Sequence, residues 1–141
     1  MRYPCDFYIM GHDGKLEWIG SSKYNGDIIS IPIPLLLQTN QAIFISEVEE
    51  FLYKNEGFSK YEGKCWPWSW EDSRGTNYTY IYRECTGKVY MSIEGGRLLD
   101  PIKILQGMDE IGADVGFGLI EFPKMIKEKT KEYGSKPAMV I

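Results

Sequence analysis

The chain has 141 residues, 43% hydrophobic, 26% charged and 14% aromatic, with a formal net charge of −4. That length fits one domain, residues 1–141, able to bury a core without a metal or a disulfide, and the acidic balance disfavours nonspecific attraction to nucleic acid or an anionic membrane. No apolar run reaches the ~18 residues of a membrane-spanning helix, and the opening MRYPCDFYIM lacks the basic-then-apolar pattern of a signal peptide.

Residues Phe7 to Met10 form a short β-rich run, and Gly11 to Gly14 carry turn residues. An extended pattern resumes at Lys15, so the stretch reads as a hairpin turning at Asp13-Gly14. Leu16 and Trp18 share one face there, and Glu17 takes the other. Asn25-Gly26 marks a second turn. Ile29 to Leu37 is apolar, but Pro32 and Pro34 deny it a central strand, and it reads as an extended segment crossing the core.

From Thr39 to Lys54 the spacing becomes helical. Ala42, Ile45, Val48 and Leu52 recur at three and four residues with Phe51 beside them, while Glu47, Glu49 and Glu50 lie off that stripe. Thr39 or Asn40 caps its start, and Gly57 suits its stop.

Tyr78, Tyr80 and Tyr82 alternate with Thr79, Ile81 and Arg83; Val89, Met91 and Ile93 alternate with Tyr90 and Ser92. With Thr86-Gly87 between them, these runs predict a second hairpin. Asp100-Pro101 offers a cap and a first-turn proline for a further helix. Phe117 to Phe122 reads as a strand and Lys124 to Gly134 as a short basic helix. Residues 124–141 hold five lysines and two glutamates, so this tail carries +3 and the rest −7. The expected architecture is α+β: a mainly antiparallel sheet from two hairpins, packed on an amphipathic helix, with a C-terminal helical segment.

Cys5, Cys65 and Cys85 are odd in number and widely spaced, which reads as free thiols in a reducing, cytoplasmic setting. His12 is the single histidine and sits in a turn, so neither a Cys/His zinc site nor a Ser-His or Cys-His pair is signalled. No phosphate-cradling glycine motif is present. No metal and no cofactor are expected.

The most unusual stretch is CWPWSWEDSRG, residues 65–75, which holds three of the four tryptophans within five residues. If extended, Trp66, Trp68 and Trp70 share one face, and Pro67 keeps the segment out of a central strand. The rings then serve either as a lid on the core or as an aromatic platform. In the second reading Glu71, Asp72, Arg74, Tyr78 and Tyr80 stand at its rim, a surface suited to a planar base, a sugar or a protein hot spot. The expectation is a division of labour: one ring packs against the helix bearing Val48 and Leu52, and another stays partly exposed beside Arg74. Adjacent Glu71 and Asp72 point opposite ways on an extended chain, so a turn capped by Asp72 and Ser73 is the better reading than two carboxylates flanking one scissile bond.

Trp66, Pro67, Trp68, Trp70, Glu71, Asp72, Ser73, Thr76 and Tyr78 spell W-P-W-x-W-E-D-S-x-x-T-x-Y. This, with GKLEWIGS near the start, resembles a group of small bacterial and phage proteins with no assigned activity. The resemblance implies no catalytic residue, and the tail beyond Phe122 extends past the group's pattern. By analogy it suits an inhibitory or ligand-sequestering role. The expected function is therefore a small binding protein, not an enzyme, that contacts a protein or a small polar, nucleotide-like ligand through the tryptophan segment. Two other readings stay open: a carboxylate-dependent hydrolase, and a structural domain that forms a homo-oligomer through Met139 to Ile141.

Overall fold

In the computed structural model, residues 3–107 and 120–125 are described. Five strands, β1 (Cys5–Met10), β2 (Leu16–Ser22), β3 (Phe58–Ser59), β4 (Tyr78–Arg83) and β5 (Lys88–Ile93), form one sheet in the order β3-β2-β1-β4-β5. The helices α1 (Ile33–Leu36), α2 (Gln41–Lys54) and α3 (Pro101–Leu105) complete an α+β architecture. β1 runs antiparallel to β2, β2 to β3 and β4 to β5, but β1 and β4 are parallel. The sheet is thus mixed, with a parallel pair at its centre that the alternation patterns did not announce.

This topology decides which segment covers which face. β2 and β3 are antiparallel neighbours, and the chain between them folds as α1 and α2 on one face. There Leu35, Leu36, Phe44, Val48, Phe51 and Leu52 pack on Phe7, Ile9, Ile19, Tyr80, Tyr82, Val89 and Met91. The pairings make β3 parallel to β4, with β2 and β1 between them. Such a connection must cross over the sheet, usually as a helix. Here residues 60–77 make the crossing as irregular chain with two 3-10 turns, Lys60–Glu62 and Ser73–Gly75. They cover the opposite face, where Trp66 joins Tyr8, Trp18, Ile81, Tyr90, Leu98, Ile120 and Phe122.

Local chemistry accounts for the elements. The Asn40 side chain accepts from the Ile43 amide at 3.0 Å and caps α2. The buried stripe of α2 is Phe44, Val48, Phe51 and Leu52, while Ala42 is exposed. The large Phe44 ring takes the core position that the spacing assigned to Ala42, because it buries far more apolar area. Gly20 lets the helix approach: a Cβ there would collide with the Leu52 side chain. The stretch 29–37 is not extended throughout. Pro32 precedes α1 and Pro34 lies in its first turn, where fixed φ and a missing amide are no handicap. Asp100 caps α3 by accepting from the Ile102 and Lys103 amides.

Of the expected strand Phe117–Phe122, residues 120–122 are irregular. The expected C-terminal helix beyond residue 125, and the Met139 to Ile141 end, lie outside the described residues. No helix among the described residues is long and apolar enough to cross a membrane. Cys5 is buried, Cys65 half-buried and Cys85 exposed, all as free thiols.

Candidate functional site

An irregular crossing has no strand ladder, so turn hydrogen bonds and side chains together satisfy its polar groups. All four indole N–H groups donate here. Trp66 donates to the Trp70 carbonyl at 2.7 Å, Trp68 to Asp6 Oδ1 at 2.7 Å, Trp70 to Thr76 Oγ1 at 2.9 Å, and Trp18, on β2, to Ser21 Oγ at 2.9 Å. Three of these bonds fasten the crossing to itself or to the sheet.

The anchor is Asp6 on β1, which is fully buried. Its Oδ1 accepts from Ser21 Oγ at 2.5 Å as well as from Trp68, and its Oδ2 accepts from Ser73 Oγ at 2.5 Å. The Ser73 hydroxyl also meets the Tyr8 hydroxyl at 2.8 Å. Burial pushes the Asp6 carboxyl above its ordinary value, and hydrogen bonds from Ser21, Ser73, Trp68 and Thr76 pull it part of the way back. Burial, then the Asp6 charge, raises the Tyr8 phenol.

Strand register builds this anchor. Asp6 lies opposite Ser21 on β2 and Thr79 on β4, and Thr79 lies opposite Ser92 on β5. The result is a buried polar row, Ser21–Asp6–Thr79–Ser92, across four strands. A β-bulge aligns it. Phe7 pairs with Gly20 but Tyr8 with Trp18, so Ile19 is the extra residue. Strict alternation puts residues three apart on opposite faces. The bulge restores Trp18 and Ser21 to one face, where their side chains bond.

The residues singled out from the sequence separate. Trp66 is 7% exposed and meets Trp18 edge-on at 5.9 Å. It packs on the face opposite α2, not against Val48 and Leu52, because the crossing runs over the other side of the sheet. Trp68 and Trp70 are half-buried and stack on each other, centroids 5.1 Å apart and planes 10° apart. Gly75 makes room for them: a Cβ there would lie 2.6 Å from the Trp70 ring. Asp72 is buried. It caps the 3-10 turn by accepting from the Arg74 amide at 2.9 Å, and pairs with the Arg74 guanidinium at 2.8 Å. Burial alone would raise its carboxyl, but the Arg74 hydrogen bonds and charge hold it below the ordinary value. Glu71 lies 3.8 Å from Lys124, and its carbonyl accepts from the Met125 amide at 2.7 Å. Tyr78 meets Tyr3 edge-on. Tyr80 is fully buried on the α2 face, stacked on Phe7 and donating to the Gly26 carbonyl at 2.7 Å. It is no rim residue of the aromatic platform, because its place in the β4 alternation turns it to the other side.

Trp68 and Trp70, with Pro4, Lys23, Pro67 and Ser69, line a cleft of about 340 Å³. Among the described residues, the cation lining this cleft is Lys23 rather than Arg74. The Lys23 and Lys64 ammonium groups lie over the Phe58 ring at 5.6 and 5.8 Å. None of the described lining residues is a carboxylate. A second concavity, about 520 Å³, lies at the β1–β2 turn among Gly11, His12, Asp13, Lys15, Glu17, Gln41 and Glu84. Ile9 and Leu16 line it too, so its wall mixes apolar side chains with charged ones of both signs, and it holds no stacked aromatic pair. No cluster of His, Cys, Asp and Glu suited to a metal occurs among the described residues.

Asp6, Ser21 and Tyr8 organise the site with Ser73 although sequence reasoning passed over these three and read Ser73 only as part of the tryptophan motif and its turn. The available signal was a lone carboxylate inside the β-rich run CDFYIM; a charge there, once buried, must find several donors. No family model, curated protein or solved structure matches this chain.

Proposed function

We propose that this protein binds a small ring-bearing anion, nucleotide-like in chemistry, in the cleft beside Trp68 and Trp70. The observation that carries the reading is the stacked, half-buried indole pair lining a cleft whose one charged described residue is Lys23. Stacking on an indole contributes about 1–3 kcal/mol per base and tolerates different rings. Lys23 lines the same cleft, and a lysine ammonium within reach favours a phosphate or carboxylate on the ligand. Aromatic platforms held by interior hydrogen bonds lose little entropy on binding. The protein's acidic balance argues against long nucleic acid and leaves a small ligand as the better fit.

The hydrolase reading lacks comparable support. Asp6 is buried and bonded through both oxygens, and Asp72 is held by Arg74. Retention of a ligand, as in a sequestering protein, suits a cleft without a carboxylate or a histidine on its described walls.

Titration with adenosine 5′-monophosphate, uridine 5′-monophosphate and glucose 6-phosphate, followed by the indole NMR resonances, tests the reading. Saturable shifts at Trp68 and Trp70, with Trp66 little changed, are expected from at least one probe. Absence of shifts at both indoles with all three probes at millimolar concentration would exclude it.

A further inference from the structure

We infer that Asp6 is the positioning residue of the aromatic cleft, holding the Trp68 ring in its binding geometry from inside the sheet; the inference rests on the binding reading above. Trp68 is placed by two contacts. Trp70 fixes its ring face at a 5.1 Å centroid separation, and Asp6 Oδ1 fixes its N–H edge at 2.7 Å. Its sequence neighbours add no strand ladder, since this part of the crossing is irregular and Pro67 has no amide hydrogen. The same carboxylate takes Ser73 on Oδ2. Asp6 therefore grips the crossing on both sides of the bend at residues 69–72 and sets the spacing between the two arms.

The chemistry explains why a carboxylate occupies this place. Ser21, Trp68 and Ser73 all direct donors at one side chain. An ionised carboxylate accepts through both oxygens and offers no competing donor, whereas an amide turns one end into a donor. Hydrogen bonds to a charged acceptor are also the stronger kind. Asp6 touches no ligand in this scheme; it acts through Trp68.

Asp6→Asn tests the inference, with Ser92→Ala as a control in the same polar row whose hydroxyl donates elsewhere, to the Gly96 carbonyl. Indole hydrogen exchange is read by NMR, and adenosine 5′-monophosphate is the binding probe. In folded Asp6→Asn the Trp68 indole should exchange about tenfold faster, because its hydrogen bond passes from a charged to a neutral acceptor. Trp66 should stay protected, and probe affinity should fall about tenfold. Ser92→Ala should leave Trp68 exchange and affinity as in the unmodified protein. Unchanged Trp68 exchange in folded Asp6→Asn overturns the inference. If Asp6→Asn does not fold, Trp68→Phe removes the N–H that donates to Asp6 while the smaller ring keeps part of the stack on Trp70. The Trp70 indole should then exchange faster, and unchanged Trp70 exchange overturns the inference. Failure of the probe to bind the unmodified protein counts against the binding reading alone, since the exchange measurements still decide the role of Asp6.

Discussion

On one face of the sheet, Phe44, Val48, Phe51 and Leu52 of α2 lie on Phe7, Ile9 and Tyr82. On the other, Trp66, Trp68 and Trp70 lie over Tyr8, Trp18 and a buried row of Ser21, Asp6, Thr79 and Ser92. A helix satisfies its own backbone, so an apolar stripe suffices to dock it. An irregular crossing has no such internal ladder, and its closure uses directional bonds, with the Trp68 indole and the Ser73 hydroxyl both donating to one carboxylate. The α2 face is therefore sensitive to volume, and the aromatic face to individual donors and acceptors. The aromatic face also borders a cleft, which the stacked Trp68–Trp70 pair lines together with Lys23.

The largest expected effect tests the volume side of this comparison. Phe44 is fully buried and tilted against Tyr82 at 5.5 Å. Phe44→Ala should cost roughly 3–5 kcal/mol in urea unfolding and leave the exchange of the Trp68 indole in the folded state unchanged. A loss below about 1 kcal/mol would mean that α2 is not a principal support of the sheet.

A smaller effect is expected where the aromatic face is packed tightly. Gly75→Ala places a methyl against Trp70 and should cost about 1–3 kcal/mol, the usual range for overpacking. It should also disturb the near-UV circular dichroism of the Trp68–Trp70 pair. Retention of that spectrum with unchanged stability would show that Trp70 has room to move.

The α+β character was legible because periodicity is local: three-to-four spacing through Val48 and Leu52, and alternation through Tyr78 to Arg83. The parallel pairing of β1 with β4 was not, since it joins residues some seventy positions apart and leaves no trace in either strand's own pattern. The bulge at Ile19 was equally silent, yet it decides that Trp18 and Ser21 share a face. The tryptophans were legible as a site but not as an arrangement. Their spacing of two suggested one shared face, whereas the crossing buries Trp66 and stacks Trp68 on Trp70. Asp6 was visible only as one charge in an apolar strand, and its importance comes from donors 15, 62 and 67 residues away.

The central claim is that one buried carboxylate and one indole act together on the aromatic face, independently of the helical face. A double-mutant cycle of Asp6→Asn and Trp68→Phe, measured by urea unfolding, tests it most directly. The account predicts a coupling energy of about 1–2 kcal/mol between these two residues. A parallel cycle of Asp6→Asn with Phe44→Leu, across the sheet, should give at most about 0.5 kcal/mol. Additive effects of Asp6→Asn and Trp68→Phe would contradict the claim.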